Sequence, residues 1–248
     1  MNDVPLLFAE CVARLLNVDA LRELKDSSSG HFGNAVRSLW DKRLIIRLNV
    51  LYNPRGGSFE YCLTCRRHVN GNASPEAPYK HDPADRRFVS EFRVLLLDRR
   101  NSLHSAKKVA WRTATPSDPT FQDLLRAPFA RTALNLHFNS LRFLNLLPDY
   151  CTFNTIYANN AYSQVIDAII QRSQACGRLE RVYCNKFFQK RGREASIEWI
   201  LTNKRLRFIF SVFLSSYGAI GRVLDDMGVL RVRRPLPGSN LTLALVER

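Results

Sequence analysis

The chain has 248 residues, of which 46% are hydrophobic and 10% aromatic, so it can bury a sizeable core and differs from a disordered segment. At about 150 residues per domain, this length predicts one large domain or two small ones. The 37 Lys and Arg residues exceed the 22 Asp and Glu residues, which gives a net charge of +15, and 29 of the cations are Arg. This surplus favours acidic partners: nucleic acid, an anionic membrane surface or an acidic protein.

Signals for a membrane or a secretory route are missing from the sequence. No apolar run approaches the roughly 18 residues needed to span a bilayer, so we expect no membrane partner. The residues from Met1 to Pro5 include an acid where a secretory leader carries cations. The 6 cysteines are too scattered for a disulfide scaffold and fit reduced thiols. We therefore expect a cytoplasmic or nuclear protein.

The amino-terminal segment shows the apolar spacing of helices. Apolar residues recur three and four positions apart between Leu6 and Leu24. A Ser-rich break at residues 27–30 precedes a second such stretch, which ends near Trp40. The pattern predicts a module of three short helices over residues 1–42.

Residues 43–130 are predicted to form a region built around a β-hairpin. From Leu44 to Tyr52 apolar positions alternate, which indicates a half-buried strand. Turn-forming residues follow at 53–57, and alternation resumes over 59–65, so the two stretches predict a hairpin.

Beyond the hairpin, three segments carry weaker patterns. The prolines and asparagines of residues 70–83 predict an exposed loop. Residues 93–97 and 109–112 predict two further strands.

Residues 131–248 contain a short frame with apolar or small residues at its first, fourth and sixth positions. The frame begins at Leu141, Phe153, Leu179 and Leu206. The last three copies start at nearly equal intervals, with helical spacing at 165–170 and 197–201 between them. These intervals lie in the range of about 20–29 that is typical of leucine-rich repeats, so we predict a leucine-rich-repeat-like βα region. A small open α/β sheet has the same alternation and stays open as an alternative.

In this frame, the second, third and fifth positions lie on the side of the sheet away from the helices. They form a row that we predict to contact a protein target, comprising Tyr157, Arg181, Tyr183, Arg207 and Phe210. Aromatic and Arg residues dominate interface hot spots, and Arg favours an acidic target. If the frame is shifted by one position, the aromatic side chains of this row face the core instead.

No motif in the sequence indicates catalysis. The sequence has no glycine-rich phosphate loop, nucleophile elbow or zinc-protease motif, and its 5 histidines lie in unrelated contexts. Cys62 and Cys65 have the spacing of zinc ligands, but strand alternation places them on opposite faces. We assign no catalytic residue, metal ligand or cofactor, and expect a protein that is not an enzyme.

The amino-terminal pattern of Pro5, Phe8 and the Val and Leu positions after them resembles an F-box. An F-box is a module of three short helices that docks on the adaptor subunit of a cullin-type ubiquitin ligase. The basic pair Lys42-Arg43 before a strand and the Tyr-containing hairpin resemble the large nematode group of F-box-like proteins. The resemblance implies a contact with the ligase adaptor through Pro5, Val12, Leu15, Leu16, Leu21 and Leu24.

Together these patterns predict an α/β protein with a short helical F-box-like module at 1–42, a hairpin-containing region at 43–130 and a leucine-rich-repeat-like βα region at 131–248. Its predicted function is that of a protein-interaction adaptor, the substrate-recognition subunit of a cullin-type ubiquitin ligase.

The alternative function is that of a basic nucleic-acid-binding protein. Clusters of cations at 186–193, 204–207 and 231–234 have the charge needed to contact phosphates. No known nucleic-acid-binding motif accompanies these clusters. A solvated Arg-rich surface is therefore the other explanation for them.

Overall fold

The structure, a computed structural model, describes residues 5–16, 18–53, 55–69, 72–98, 110–127, 129, 131–137, 141–158, 164–185, 207–212, 230–232 and 241–245. It divides into two compact units, residues 1–133 and 134–248. Both units contain helices and strands, so the protein is of the mixed α/β class, as predicted.

The described elements of the first unit include the predicted helices, the hairpin and a strand over residues 93–97. They are α1 (Leu6–Leu15), α2 (Val18–Ser27), α3 (Gly30–Lys42), β1 (Leu44–Asn53), β2 (Ser58–Val69), β3 (Asn72–Ala73), β4 (Ala77–Pro78), a 3-10 helix (Pro83–Phe88), β5 (Val89–Asp98), β6 (Arg112–Ala114) and α4 (Pro119–Arg126).

Helices α1 and α2 both pack on α3. The helical core is formed by Ala9, Ala13, Leu21, Ala35, Val36, Leu39 and Trp40. Gly33 permits the close approach of the turn before α3, because a Cβ at this position would collide with the carbonyl oxygen of Ser28. The three predicted helices are thereby confirmed, and they share one core.

The hairpin of β1 and β2 forms where the sequence predicts it. Asn53 lies opposite Ser58 at the turn, and the Asn53 side-chain oxygen accepts hydrogen bonds from the backbone N–H groups of Arg55 at 3.2 Å and Gly56 at 3.4 Å. Gly57 has a φ of 61°, a conformation that favours glycine.

The strand order in this unit is β5-β1-β2, with β5 parallel to β1. Alternate residues of β1 face the core and are at most 1% exposed, namely Leu44, Ile46, Leu48 and Val50. From β5 and α4, Val94 and Leu124 are fully buried as well. Burying each such side chain stabilises the fold by about 1.5–3 kcal/mol, so this face is the main core of the first unit.

The outer edge of β2 is covered by short strands that the sequence pattern did not fully predict. Residues 70–83, predicted as an exposed loop, contain β3 and β4, which pair with β2, and the buried Tyr79, whose N–H donates to the Leu63 carbonyl at 2.9 Å. The strand predicted at 109–112 overlaps β6 only at Arg112, because residues 110 and 111 precede the strand; β6 also pairs with β2. A strand as long as β2 presents many backbone groups along its edge, and these segments satisfy part of them.

The second unit contains a sheet with both parallel and antiparallel strands. Its elements are β7 (Thr132–Leu136), which begins in the first unit, α5 (Leu141–Leu144), β8 (Thr155–Ala158), α6 (Gln164–Ala175), β9 (Arg181–Asn185), β10 (Arg207–Val212), β11 (Leu230–Val232) and β12 (Leu241–Leu245). Strands β8, β9 and β10 are parallel neighbours, and β12 and then β11 continue the sheet in antiparallel pairs.

The repeat frame predicts part of this unit correctly. The frames at Phe153, Leu179 and Leu206 coincide with β8, β9 and β10, and the helix predicted at 165–170 is α6. The helix predicted at 197–201 lies outside the described residues. The described strands fit a small mixed sheet, and the leucine-rich-repeat-like arrangement stays a prediction.

The frame at Leu141 is wrong, because this segment is the helix α5. The buried side chains here are Phe143, Leu146 and Leu147, which are three and four positions apart. That spacing is helical, and a frame that reads only its first, fourth and sixth positions overlooks Phe143.

Candidate interaction surfaces

Helix α1 buries small side chains and exposes large ones. Ala9 and Ala13, one turn apart, are fully buried in the helical core. Leu7 and Phe8 are 71% and 60% exposed. Half-buried Val12 lies one turn after Phe8. Because a surface helix normally turns its large apolar side chains inward, we define Leu7, Phe8 and Val12 as the α1 surface, a candidate contact site.

Of the six residues predicted to contact the adaptor, two lie at or beside the α1 surface. Pro5 is exposed immediately before α1, and Val12 is part of the surface itself. The side chain of Leu15 lies outside the described residues. Leu7 and Phe8 were not in the predicted contact. The signal for them is the pair of alanines four positions apart, since small residues mark the side on which another helix approaches closely.

The other three predicted contacts contribute to packing within the first unit. Leu21 is 3% exposed in the helical core, so its prediction as a partner contact is wrong: α2 uses this side chain to pack. Leu16 and Leu24 are half-buried and pack against the same core. Leu16 and Leu21 also line a small cavity of about 90 Å³ together with Phe88.

The end of α3 is fixed by cations around Trp40. The Arg43 guanidinium carbon lies 3.7 Å from the ring centroid, and Arg43 donates a hydrogen bond to the Trp40 carbonyl oxygen at 2.7 Å. From α2, Lys25 lies 5.2 Å from the same centroid. Burial, and then the charge of Arg22, lower the pKa of Arg43, while Asp41 opposes them. This cluster joins α2 and α3 to the start of β1 and holds the helical module in a fixed orientation.

The sheet of the second unit places aromatic and cationic residues on one face. In the parallel ladder Thr155 lies beside Arg181, and Tyr157 lies beside Tyr183. The two Tyr rings are stacked, with centroids 4.5 Å apart and planes 12° apart. These four residues are half-buried, and we call them the sheet face. The alternate positions are at most 1% exposed: Ile156, Ala158 and Val182.

Hydrogen bonds at the strand starts hold the sheet face in place. The Asn154 carbonyl accepts from the N–H groups of Glu180 at 2.8 Å and Arg181 at 3.1 Å, which aligns β8 with β9. The Phe153 N–H donates to the Ser173 hydroxyl of α6 at 3.1 Å. The strands and the helix are therefore linked on the buried side, and Arg181 is fixed beside Thr155.

The register of β10 corrects the predicted row at one position. Arg207 lies beside Arg181, which keeps it in the row, but Ile209 and not Phe210 lies beside Tyr183. Phe210 lies beside Cys184, so its predicted place in the row is wrong. The frame aligned Leu179 with Leu206, and the observed pairing is offset from that alignment by a single position. Such a slip exchanges the two faces of a strand.

The buried thiols are poor nucleophiles and poor metal ligands. Burial raises the pKa of Cys62 to about 11 and that of Cys151 to about 12. Burial is also the main cause that raises the pKa of Cys65. Within the described residues, no three His, Cys, Asp or Glu side chains are grouped so that they could hold a metal ion. None of the helices in the described part of the chain has the length and apolar character to cross a bilayer.

Comparison of the chain with protein-family models, with curated proteins and with solved structures found no match. The resemblance of residues 1–42 to an F-box therefore stays a prediction. The α1 surface and the sheet face are two candidate sites for contact with a partner.

Proposed function

We propose that this protein is a recruitment subunit whose helical module docks on the adaptor of a cullin-type ubiquitin ligase, while the sheet face receives an acidic protein target. The observation that carries the proposal is the orientation of α1, with Ala9 and Ala13 buried and Leu7 and Phe8 exposed. The partner would cover the α1 surface as a groove covers the apolar side of a helix.

The energetics of the α1 surface favour a protein partner. Complete burial of a Leu or Phe side chain contributes about 1.5–3 kcal/mol, so covering Leu7 and Phe8, which are 71% and 60% exposed, supplies about 2–4 kcal/mol. Because about 1.4 kcal/mol corresponds to a tenfold change in affinity, replacing both side chains is expected to weaken binding by about 30-fold or more.

The test is calorimetric titration of the full chain with a purified adaptor subunit of a cullin-type ligase. We expect the wild-type chain to bind and the double variant Leu7→Asp, Phe8→Asp to lose binding. The matched control is Val69→Asp in the same unit, because Val69 is 61% exposed and lies at the end of β2. No binding by the wild-type chain, or equal binding by the double variant, would overturn the proposal.

The second candidate function is single-stranded nucleic-acid binding by the sheet face. The stacked rings of Tyr157 and Tyr183, with Arg181 on the same face and a net charge of +15, favour it. Aromatic rings stack on bases and Arg contacts phosphates, and such binding weakens steeply with salt.

This candidate is tested by fluorescence anisotropy with a labelled single-stranded oligonucleotide between about 50 and 200 mM salt. We expect Tyr157→Ala and Arg181→Ala to weaken binding. Tyr150→Ala and Arg142→Ala are the controls, because both residues are exposed in the same unit. Binding of a polyglutamate peptide, with none of the oligonucleotide at low salt, would instead support the acidic protein target.

A further inference from the structure

A cavity of about 480 Å³ lies beside the hairpin, at the outer edge of β2. β6 pairs with β2 up to Tyr61, and β4 pairs with it from Thr64. Between these two short strands, Cys62 and Leu63 contribute to the cavity wall. The cavity therefore results from the topology, since two short strands share one long edge and leave a gap.

Aromatic and cationic side chains line this cavity. Leu63 and Tyr79 contribute its apolar wall, with the buried Tyr61 behind them, and Lys80 and Arg112 contribute its cationic groups; the His81 imidazole lies beside them. None of the described lining residues is Asp or Glu. A volume of this size lies within the range of about 300–1,000 Å³ that is typical of small-molecule sites.

Hydrogen bonds fix the walls of the cavity. The Tyr61 hydroxyl donates to Asp118 at 3.0 Å; burial and then Asp118 raise the pKa of Tyr61, while Arg112 lowers it. His81 Nε2 lies 2.7 Å from an Asp123 carboxylate oxygen. Because a carboxylate only accepts, Nε2–H is the donor, and the imidazole ring is held in one orientation.

The negative charge of Asp123 is compensated outside the cavity. Asp123 forms an ion pair with Arg86, which does not line this cavity. The hydrogen bond from Arg86 is the main cause that lowers the pKa of Asp123. The carboxylate therefore orients His81 without cancelling the positive charge of Lys80 and Arg112.

From this arrangement we propose that the cavity binds a small organic anion, a phosphate or carboxylate group carried on a flat aromatic body. Lys80 and Arg112 would contact the anionic group, and the apolar wall that includes Tyr79 would pack against the body. The proposal is independent of the α1 surface and of the sheet face, because it uses none of their residues.

The test is calorimetric titration of the full chain at low ionic strength with phenyl phosphate, benzoate, phenol and inorganic phosphate. We expect at least one aromatic anion to bind. Phenol, which lacks the anionic group, and inorganic phosphate, which lacks the aromatic body, are expected to bind at least about tenfold more weakly. Absence of binding by both aromatic anions, or equal binding of phenol, would overturn the proposal. Tighter binding of phenyl phosphate or of benzoate identifies which anionic group the site prefers.

Three variants locate the binding in this cavity. Lys80→Ala and Arg112→Ala are each expected to weaken the aromatic anion about tenfold, while the control Arg55→Ala, an exposed Arg in the hairpin turn, leaves it unchanged. Ala110→Trp places a large side chain at an exposed lining residue without changing the charge and is expected to abolish binding. Unfolding midpoints establish that each variant is folded. Unchanged affinity in Ala110→Trp, or equal weakening in Arg55→Ala, would show that the anion binds elsewhere.

Discussion

Strand β1 and helix α1 both carry several apolar residues, but β1 buries large apolar side chains and α1 exposes two of them. In β1, Leu48 and Val50 are fully buried, whereas in α1 Leu7 is 71% exposed. A strand with alternating residues has one apolar face, so its pattern identifies the core side. In α1 apolar residues occur all around, and the buried stripe belongs to Ala9 and Ala13. An apolar pattern therefore fixes the core side of a strand, but in a helix residue size decides as well.

The largest expected effect contrasts a Leu in each element. Leu48→Ala is expected to lower the free energy of unfolding by about 2–5 kcal/mol, because it leaves a cavity in the core. Leu7→Ala is expected to change it by no more than about 0.5 kcal/mol, because this side chain is mostly in solvent. Denaturant titrations followed by tryptophan fluorescence measure both. Equal losses would mean that α1 is covered in the free protein, and the comparison would fail.

The second prediction enlarges a residue on each side of α1. Ala9→Leu is expected to destabilise the helical module by about 1–3 kcal/mol, because Ala9 is fully buried and the added atoms would push the packed helices apart. The matched variant Phe8→Leu changes an exposed side chain and is expected to cost less than about 0.5 kcal/mol. The same denaturant titrations distinguish them, and a tolerated Ala9→Leu would show that α1 does not pack closely.

The sequence predicts the features that depend on a local apolar pattern, and it does not predict those that depend on how the elements pack. Alternation located the β1–β2 hairpin, and helical spacing located α1, α2 and α3. The buried role of Leu21 was not predictable from spacing alone, since it depends on how α2 packs on α3. Likewise the predicted position of Phe210 was wrong, because the register between β10 and β9 differs by one position from the repeat frame. This register depends on the backbone pairing of the two strands. The cavity beside β2 joins residues from four segments, which no local pattern connects.

A third, smaller effect concerns two aromatic side chains on neighbouring strands of the second unit. The stacked pair Tyr157 and Tyr183 is expected to have a coupling energy of about 0.5–1.5 kcal/mol in a double-mutant cycle of Ala variants. Zero coupling for the stacked pair would mean that the two rings do not stack in solution.

The smallest expected effect comes from a polar contact that belongs to neither apolar pattern. The hydrogen bond from Arg86 lowers the pKa of Asp123 below its ordinary value, and His81 acts in the same direction, while burial opposes them. A carboxyl whose pKa is lower in the folded state stabilises the fold above its unfolded pKa of about 3.9 and loses this contribution as the pH falls through the folded value. Wild type is therefore expected to be slightly more stable than Asp123→Asn at pH 6, with the difference shrinking in strong acid.

Urea unfolding midpoints of both proteins across this pH range measure the difference, and Asp26→Asn is the control because the Asp26 side chain is 81% exposed. The effect stays small because Asp123 is 40% exposed and solvent screens the ion pair. A difference that grows as the pH falls would have the wrong sign and would contradict the ion pair with Arg86. An effect as large as that of Leu48→Ala would mean that this polar cluster, and not the apolar face of β1, dominates the stability of the first unit.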